Sequence, residues 1–194
     1  LFDETLQILS IDSEKIESQF PKSGWVEQNP SDIIASVIKT VKSVIDNDVV
    51  ALGITNQRET VVMWDRESGI PIYNAIVWQD RRTDKVCKKL KSRGYQDLVE
   101  ERSGLLLDPY FSATKIGWLL DNVENARQKA EQGKLAFGTI DSFVLWHLTE
   151  GRVHATDITN ASRTMLFNIY DKKWDVDLLD LFGIPQSILP VVNE

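Results

Sequence analysis

Two β-rich apolar runs, Val49-Val50-Ala51-Leu52 and Thr60-Val61-Val62-Met63-Trp64, flank one short polar segment that includes Asn56-Gln57-Arg58-Glu59. Apolar runs of this length, bounded by turn residues, read as buried strands. The segment Gly53-Ile54-Thr55-Asn56-Gln57-Arg58-Glu59-Thr60 then lies where one strand ends and the next begins. In α/β sheets, ligands collect outside the carboxyl ends of strands. An arginine fork beside a carboxylate both donates and accepts, so Arg58 and Glu59 could satisfy both halves of a diol. A solvated surface ion pair is the other reading of the same two residues.

The rest of the chain surrounds this feature with helices. Asn29-Pro30-Ser31-Asp32 is a helix start, with Asn as cap and Pro at the first helical position. A helix over 31–46 carries Ile33, Ile34, Val37, Ile38, Val41, Val44 and Ile45 on one stripe. Residues 4–20 alternate unevenly and suggest a half-exposed strand or hairpin arm. Asp65-Arg66-Glu67-Ser68-Gly69 has hairpin-loop chemistry and returns into a strand over 71–78. Helices follow over 80–92, 96–102, 112–122 and 124–132, then a short buried strand over 135–139; Gly94 stops the first of these helices, and Gly183 with Pro185 the last helix of the chain. A helix over 141–148, capped by Asp141 or Ser142, leads to a polar loop over 157–162 and a last helix over 177–182. Strands that come early and then mix with helices predict an α/β or α+β domain with a mixed sheet.

The bulk numbers exclude several classes. The chain's 194 residues suffice for a real core, and 42% hydrophobic with 26% charged residues is the composition of a soluble globular protein. A net charge of -7 argues against nucleic acid as partner. The single cysteine, Cys87, rules out an internal disulfide and suits a cytoplasmic setting; on its helix it reads as a packing residue. No apolar run approaches a membrane span. With two histidines and one cysteine, no metal site is expected within the chain. No glycine-rich phosphate loop and no Gly-X-Ser-X-Gly elbow occurs. The opening Leu1-Phe2-Asp3-Glu4-Thr5-Leu6 reads as the middle of a β-structure, and hence as part of a longer chain.

Four blocks, in order, resemble the glycerol kinases within the FGGY carbohydrate kinases. Beside Gly53–Thr60 itself, they are Phe20-Pro21-Lys22-Ser23-Gly24-Trp25-Val26-Glu27; Tyr73-Asn74-Ala75-Ile76-Val77-Trp78-Gln79-Asp80-Arg81-Arg82; Tyr110-Phe111-Ser112-Ala113-Thr114-Lys115-Ile116-Gly117-Trp118-Leu119-Leu120-Asp121-Asn122; and Thr156-Asp157-Ile158-Thr159-Asn160-Ala161-Ser162-Arg163-Thr164. The resemblance implies an actin-like ATPase (ribonuclease H-like) α/β fold with a mixed sheet, incomplete at its N-terminal strand. It implies that residues 1–194 are most of one N-terminal domain, and that the nucleotide domain is absent. It also implies that Arg58, Glu59 and Tyr110 hydrogen-bond the hydroxyls of glycerol, while Trp78 walls off its carbons. A phenol and a dry aromatic face suit a small triol.

The resemblance further implies ATP and Mg as cofactors, bound mainly by parts this chain lacks, and self-association of the longer enzyme. No catalytic residue is assigned within the chain, since the general-base aspartate is expected beyond Glu194. The 194 residues alone are therefore expected to bind the acceptor but not to consume ATP. A kinase for another polyol or sugar, or a non-catalytic polyol-binding module, are the competing readings. Taken without the resemblance, Trp78 reads as core, Tyr110 as a loop-packing ring, and Asp157 and Asn160 as turn-formers. Lys115 reads as facing phosphate or as solvated, and Arg81, Arg82, Lys85, Lys88, Lys89 and Lys91 as a solvated helix face.

Overall fold

The computed structural model describes residues 1–193. Its centre is a two-stranded antiparallel ladder in which Val62, Met63, Trp64 and Asp65 face Gly138, Phe137, Ala136 and Leu135. Successive strand residues point to opposite faces, and here both faces are covered. Val61 and Met63 join one apolar cluster with Ile116, Leu119 and Phe137. Val62 and Trp64 join another with Ile33, Phe143 and Trp146. This explains why Val61–Trp64 is apolar throughout rather than alternating.

The first half of the chain runs β1 (Glu27–Gln28), α1 (Pro30–Val44), β2 (Val62–Asp65), β3 (Ala75–Ile76), α2 (Asp84–Ser92), α3 (Gln96–Ser103) and α4 (Ser112–Asn122). The second half runs α5 (Ala126–Glu131), β4 (Leu135–Gly138), α6 (Ile140–Leu148), β5 (Ala155–Asp157), α7 (Ile158–Ala161), β6 (Phe167–Asn168), β7 (Lys173–Trp174), α8 (Val176–Phe182) and β8 (Val191–Asn193). β1 pairs with β3 and β6 with β7, both antiparallel, while β5 pairs with β8 in parallel. Among the described residues parallel and antiparallel pairing thus coexist, in four two-stranded sheets with helices between them.

Helix α1 forms where its cap and stripe predict it. Asn29 Oδ1 accepts from Ser31 N at 3.1 Å, Pro30 opens the first turn, and Ile33 is buried against the Trp64 cluster. Gly94 and Gly183, the expected helix stops, both take positive φ. The hairpin loop is also as read, since Asp65 Oδ1 accepts from the backbone of Glu67 and Ser68.

Other expectations need correction. The run 49–55 forms no strand, and Val50 is 98% exposed. A strand needs a ladder partner for its amides, and no described segment pairs with it. Residues 4–20 make only isolated bridges, Phe2 with Ile8 and Gln19 with Glu27, rather than a hairpin arm. Within 71–78 only β3 is a named strand. Thr139, not Asp141 or Ser142, sits at the start of α6, and the loop at 157–162 contains the single helical turn α7.

The largest correction concerns Arg82, whose side chain is 0% exposed. It precedes α2, so the helix-face argument does not reach it. Its guanidinium bonds Asp80 at 2.8 Å and Glu27 at 2.7 Å, and lies over the rings of Trp25 and Trp118. Cys87 is buried as a packing residue should be, and burial pushes its thiol up to about 11.

Candidate functional site

Glu59 and Thr60 sit at the amino end of the central ladder's first strand, beside the carboxyl end of β4. The expected position at the end of a strand over 49–55 therefore gives way to this one. Exposure changes abruptly within the octapeptide: Arg58 is exposed, whereas Glu59 is 4% and Thr60 0% exposed. Thr60 Oγ1 donates to Gln57 Oε1 at 3.0 Å and accepts from Trp78 N at 3.2 Å, which fixes the backbone that carries the indole. Asn56 Nδ2 reaches Asp141 Oδ1 at 3.2 Å, and Thr156 Oγ1 donates to Asp141 Oδ2 at 2.7 Å. Burial raises the Asp141 carboxyl, against the pull of its Thr139 and Thr156 hydrogen bonds.

Trp78 and Tyr110 meet edge to face, with ring centroids 5.4 Å apart, and both are half-buried. Such pairs favour this geometry because the edge of one ring is positive and the face of the other negative. The turn that presents Tyr110 is capped by Asp108, whose Oδ1 accepts from Tyr110 N at 2.9 Å and from Arg81 Nη1 at 2.7 Å. The Tyr110 hydroxyl has no hydrogen-bond partner among the described residues, so a polar ligand can use it as donor or acceptor.

Lys115 joins these parts from below. It is 0% exposed, and its Nζ donates to the carbonyls of Glu59 at 3.2 Å, Tyr110 at 2.5 Å and Phe111 at 3.1 Å. An ammonium has three N–H donors, and here each finds a backbone oxygen. Desolvation pulls it down to about 7, against the Coulombic pull of Asp80 and Glu59. Lys115 is thus neither solvated nor facing phosphate; it staples together the backbones of two candidate ligands.

Glu59 is paired, but not with its neighbour. Its Oε1 accepts from Arg163 Nε at 2.7 Å, while Arg58 has no ion pair or hydrogen bond among the described residues. Arg163 lies over Phe111 at 5.0 Å and Tyr110 at 5.9 Å. The fold therefore brings together Glu59, Trp78, Tyr110, Lys115 and Arg163, and leaves Arg58 at the rim. Sequence reasoning missed the roles of Arg163 and Lys115, though both lie in the quoted blocks. Only the Asp157-x-x-Asn160 cap spacing hinted at an ordered turn before Arg163. Asp157 does form that turn, accepting from Asn160 N at 2.8 Å.

Among the described residues no three His, Cys, Asp or Glu side chains converge to hold a metal, and no helix is long and apolar enough to cross a membrane. The expected general base, placed beyond Glu194, lies outside the described residues.

A small polar shelf with one aromatic wall thus stands at the end of the antiparallel ladder. The N-terminal domain of the FGGY family of carbohydrate kinases matches residues 1–194, and the chain belongs to that family. It is 55% identical over its whole length to a glycerol kinase of Nitrosomonas eutropha, of which it covers 40%. The crystal structure of Plasmodium falciparum glycerol kinase with ADP superposes with a TM-score of 0.91 at 36% identity, over 98% of this chain and 39% of that one. A gluconate kinase from Lactobacillus acidophilus, 22% identical over 93% of this chain and 36% of its own, shares the fold with a TM-score of 0.82. The actin-like fold expected from the sequence is the one these structures share. The chain spans about 40% of the length of the relatives it matches.

Proposed function

We propose that this chain is the acceptor-binding part of a longer kinase that transfers the γ-phosphoryl group of ATP to a primary hydroxyl of glycerol. The observation that carries this is the Glu59 carboxylate, held beside the Trp78–Tyr110 pair with Oε2 free of any described partner. In this reading Oε2 accepts one substrate hydroxyl, the Tyr110 phenol serves a second, and Arg58 swings in from the rim to a third. Trp78 covers the carbon chain. Holding the triol in one orientation can be worth roughly 7–11 kcal/mol of barrier when alignment is good. ATP and its Mg are assigned to groups outside this chain, which holds and orients the acceptor and supplies no step beyond that. Self-association of the longer protein and a cytoplasmic setting belong to the same reading and rest on the family alone. The 55% identity to a glycerol kinase supports glycerol over longer polyols.

The test is a coupled ADP-release assay on the full-length protein with glycerol, xylitol, ribulose and gluconate. Glycerol should be preferred by well over tenfold in kcat/KM. Trp78→Ala should erode that preference together with the rate, because it enlarges the site and admits water. Tyr110→Phe should lower glycerol activity and leave the preference for size intact. A wild type that turns over a five-carbon substrate as well as glycerol contradicts the proposal.

A further inference from the structure

Glu59 is fixed twice, by basic side chains from two distant parts of the chain. Its backbone carbonyl is held by Lys115 of α4 and its carboxylate by Arg163, 104 positions further along the chain. We propose that Arg163 is the positioning residue of the acceptor site: its Nε–H occupies Oε1 of Glu59 and commits Oε2 to a substrate hydroxyl. The proposal rests on the polyol-kinase reading above.

The mounting of Arg163 supports a positioning role. It follows the single turn of α7, whose cap Asp157 accepts from Thr159 Oγ1 at 2.6 Å and from Asn160 N at 2.8 Å. Arg163 N donates to Asn160 O at 3.0 Å, and Thr164 O accepts from Ala113 N at 2.9 Å, which ties this turn to the start of α4. The side chain is 27% exposed and its guanidinium lies over the Phe111 ring, so it does not swing freely into solvent. Its two Nη groups have no hydrogen-bond partner among the described residues, so its one protein commitment there is to Glu59. A charge-assisted bond of 2.7 Å is short and directional, and a carboxylate held by one oxygen presents the other at a defined angle. Arg58, although adjacent in sequence, makes no such contact.

A residue that merely holds the fold together would reduce the amount of active enzyme, lowering apparent kcat and leaving both KM values alone. A residue that aims Glu59 should act on the acceptor and spare the nucleotide. The experiment is steady-state kinetics on full-length wild type, Arg163→Met and Arg163→Lys, with glycerol and ATP varied separately. Arg163→Met should raise the glycerol KM at least tenfold and leave the ATP KM within twofold. Arg163→Lys should fall between, since it keeps the charge but loses the planar Nε donor. Guanidinium at tens of millimolar should recover part of the lost kcat/KM in Arg163→Ala. A glycerol KM within twofold of wild type in Arg163→Met, or equal losses toward both substrates, overturns the proposal. If Arg163→Met does not fold, the same thresholds at twofold are read from Arg163→Lys. A wild type that does not phosphorylate glycerol overturns the reading beneath the proposal, and the proposal with it; an active wild type with an unaffected variant overturns the proposal alone.

Discussion

Val49–Leu52 and Thr60–Trp64 are similar in β-propensity, close in sequence, and opposite in outcome. Val50 is 98% exposed on unpaired chain, whereas Val61, Val62 and Trp64 are 0% exposed in a ladder packed on both faces. Propensity alone does not separate them; partners do. The second run finds Leu135–Gly138 on one edge and a bridge from Val61 to Ile76 on the other, and the first finds neither. Strand propensity is better regarded as fitness for a pleated, covered surface than as a property of the residues themselves. The functional consequence falls inside the octapeptide. Arg58 belongs to the open side and Glu59 to the packed side, so two adjacent charges carry different mechanical authority.

Substitutions can break or sharpen this contrast. Trp64→Ala removes an indole that touches Phe143, Trp146 and His154, and should cost about 3–5 kcal/mol in chemical denaturation. Val50→Ala, in the other run, should change stability by less than about 0.5 kcal/mol. Comparable losses at the two positions would mean that the first run is packed after all.

Next in size is a pH effect read from His154, which stacks edge-on against Trp64 and Trp146 and bonds the Phe137 carbonyl at 2.8 Å. Burial lowers this imidazole from 6.5 to about 4. Between those values the unfolded chain binds a proton that the folded chain does not, so acid favours unfolding. Stability should be whole above pH 6.5 and fall by up to about 3 kcal/mol as pH approaches 4. His154→Gln should lose this component when urea midpoints are compared across the same range; an unchanged pH slope in the variant would count against it.

A smaller effect is expected at Gly138, opposite Val62 in the ladder. A Cβ there would stand 2.6 Å from Ser142 Cβ and 3.0 Å from the Trp64 ring. Gly138→Ala should therefore cost about 1–3 kcal/mol through overpacking. A neutral result would show that the Trp64 cluster has more slack than its contacts suggest.

Much of this was legible in the sequence, and what was hidden has a common cause. The cap and stripe of α1, the glycine stops and the aromatic pair at Trp78 and Tyr110 are local or motif-borne signals. Arg82, Lys115 and Arg163 were not legible, because each is decided by partners far along the chain. Arg82 is bonded by Glu27 and stacked on Trp25 and Trp118, and nothing in the basic stretch around it announces them. Lys115 lies in a helix otherwise rich in buried residues, and its three carbonyls come together only when Glu59 and Tyr110 do. Reading Arg58 as the partner of Glu59 followed sequence adjacency, whereas the fold supplies Arg163.

The central claim is that Glu59, fixed on the packed side of the boundary, is the acceptor that holds the polyol. The most direct measurement is kcat/KM for glycerol in the full-length protein carrying Glu59→Gln, which keeps the shape and turns one acceptor oxygen into a donor. Truncating or mismatching one partner of a buried charged pair typically costs about 2–5 kcal/mol, so kcat/KM should fall by at least about thirtyfold. A Glu59→Gln enzyme within threefold of wild type would mean that the pair with Arg163 is structural and that the acceptor is held elsewhere.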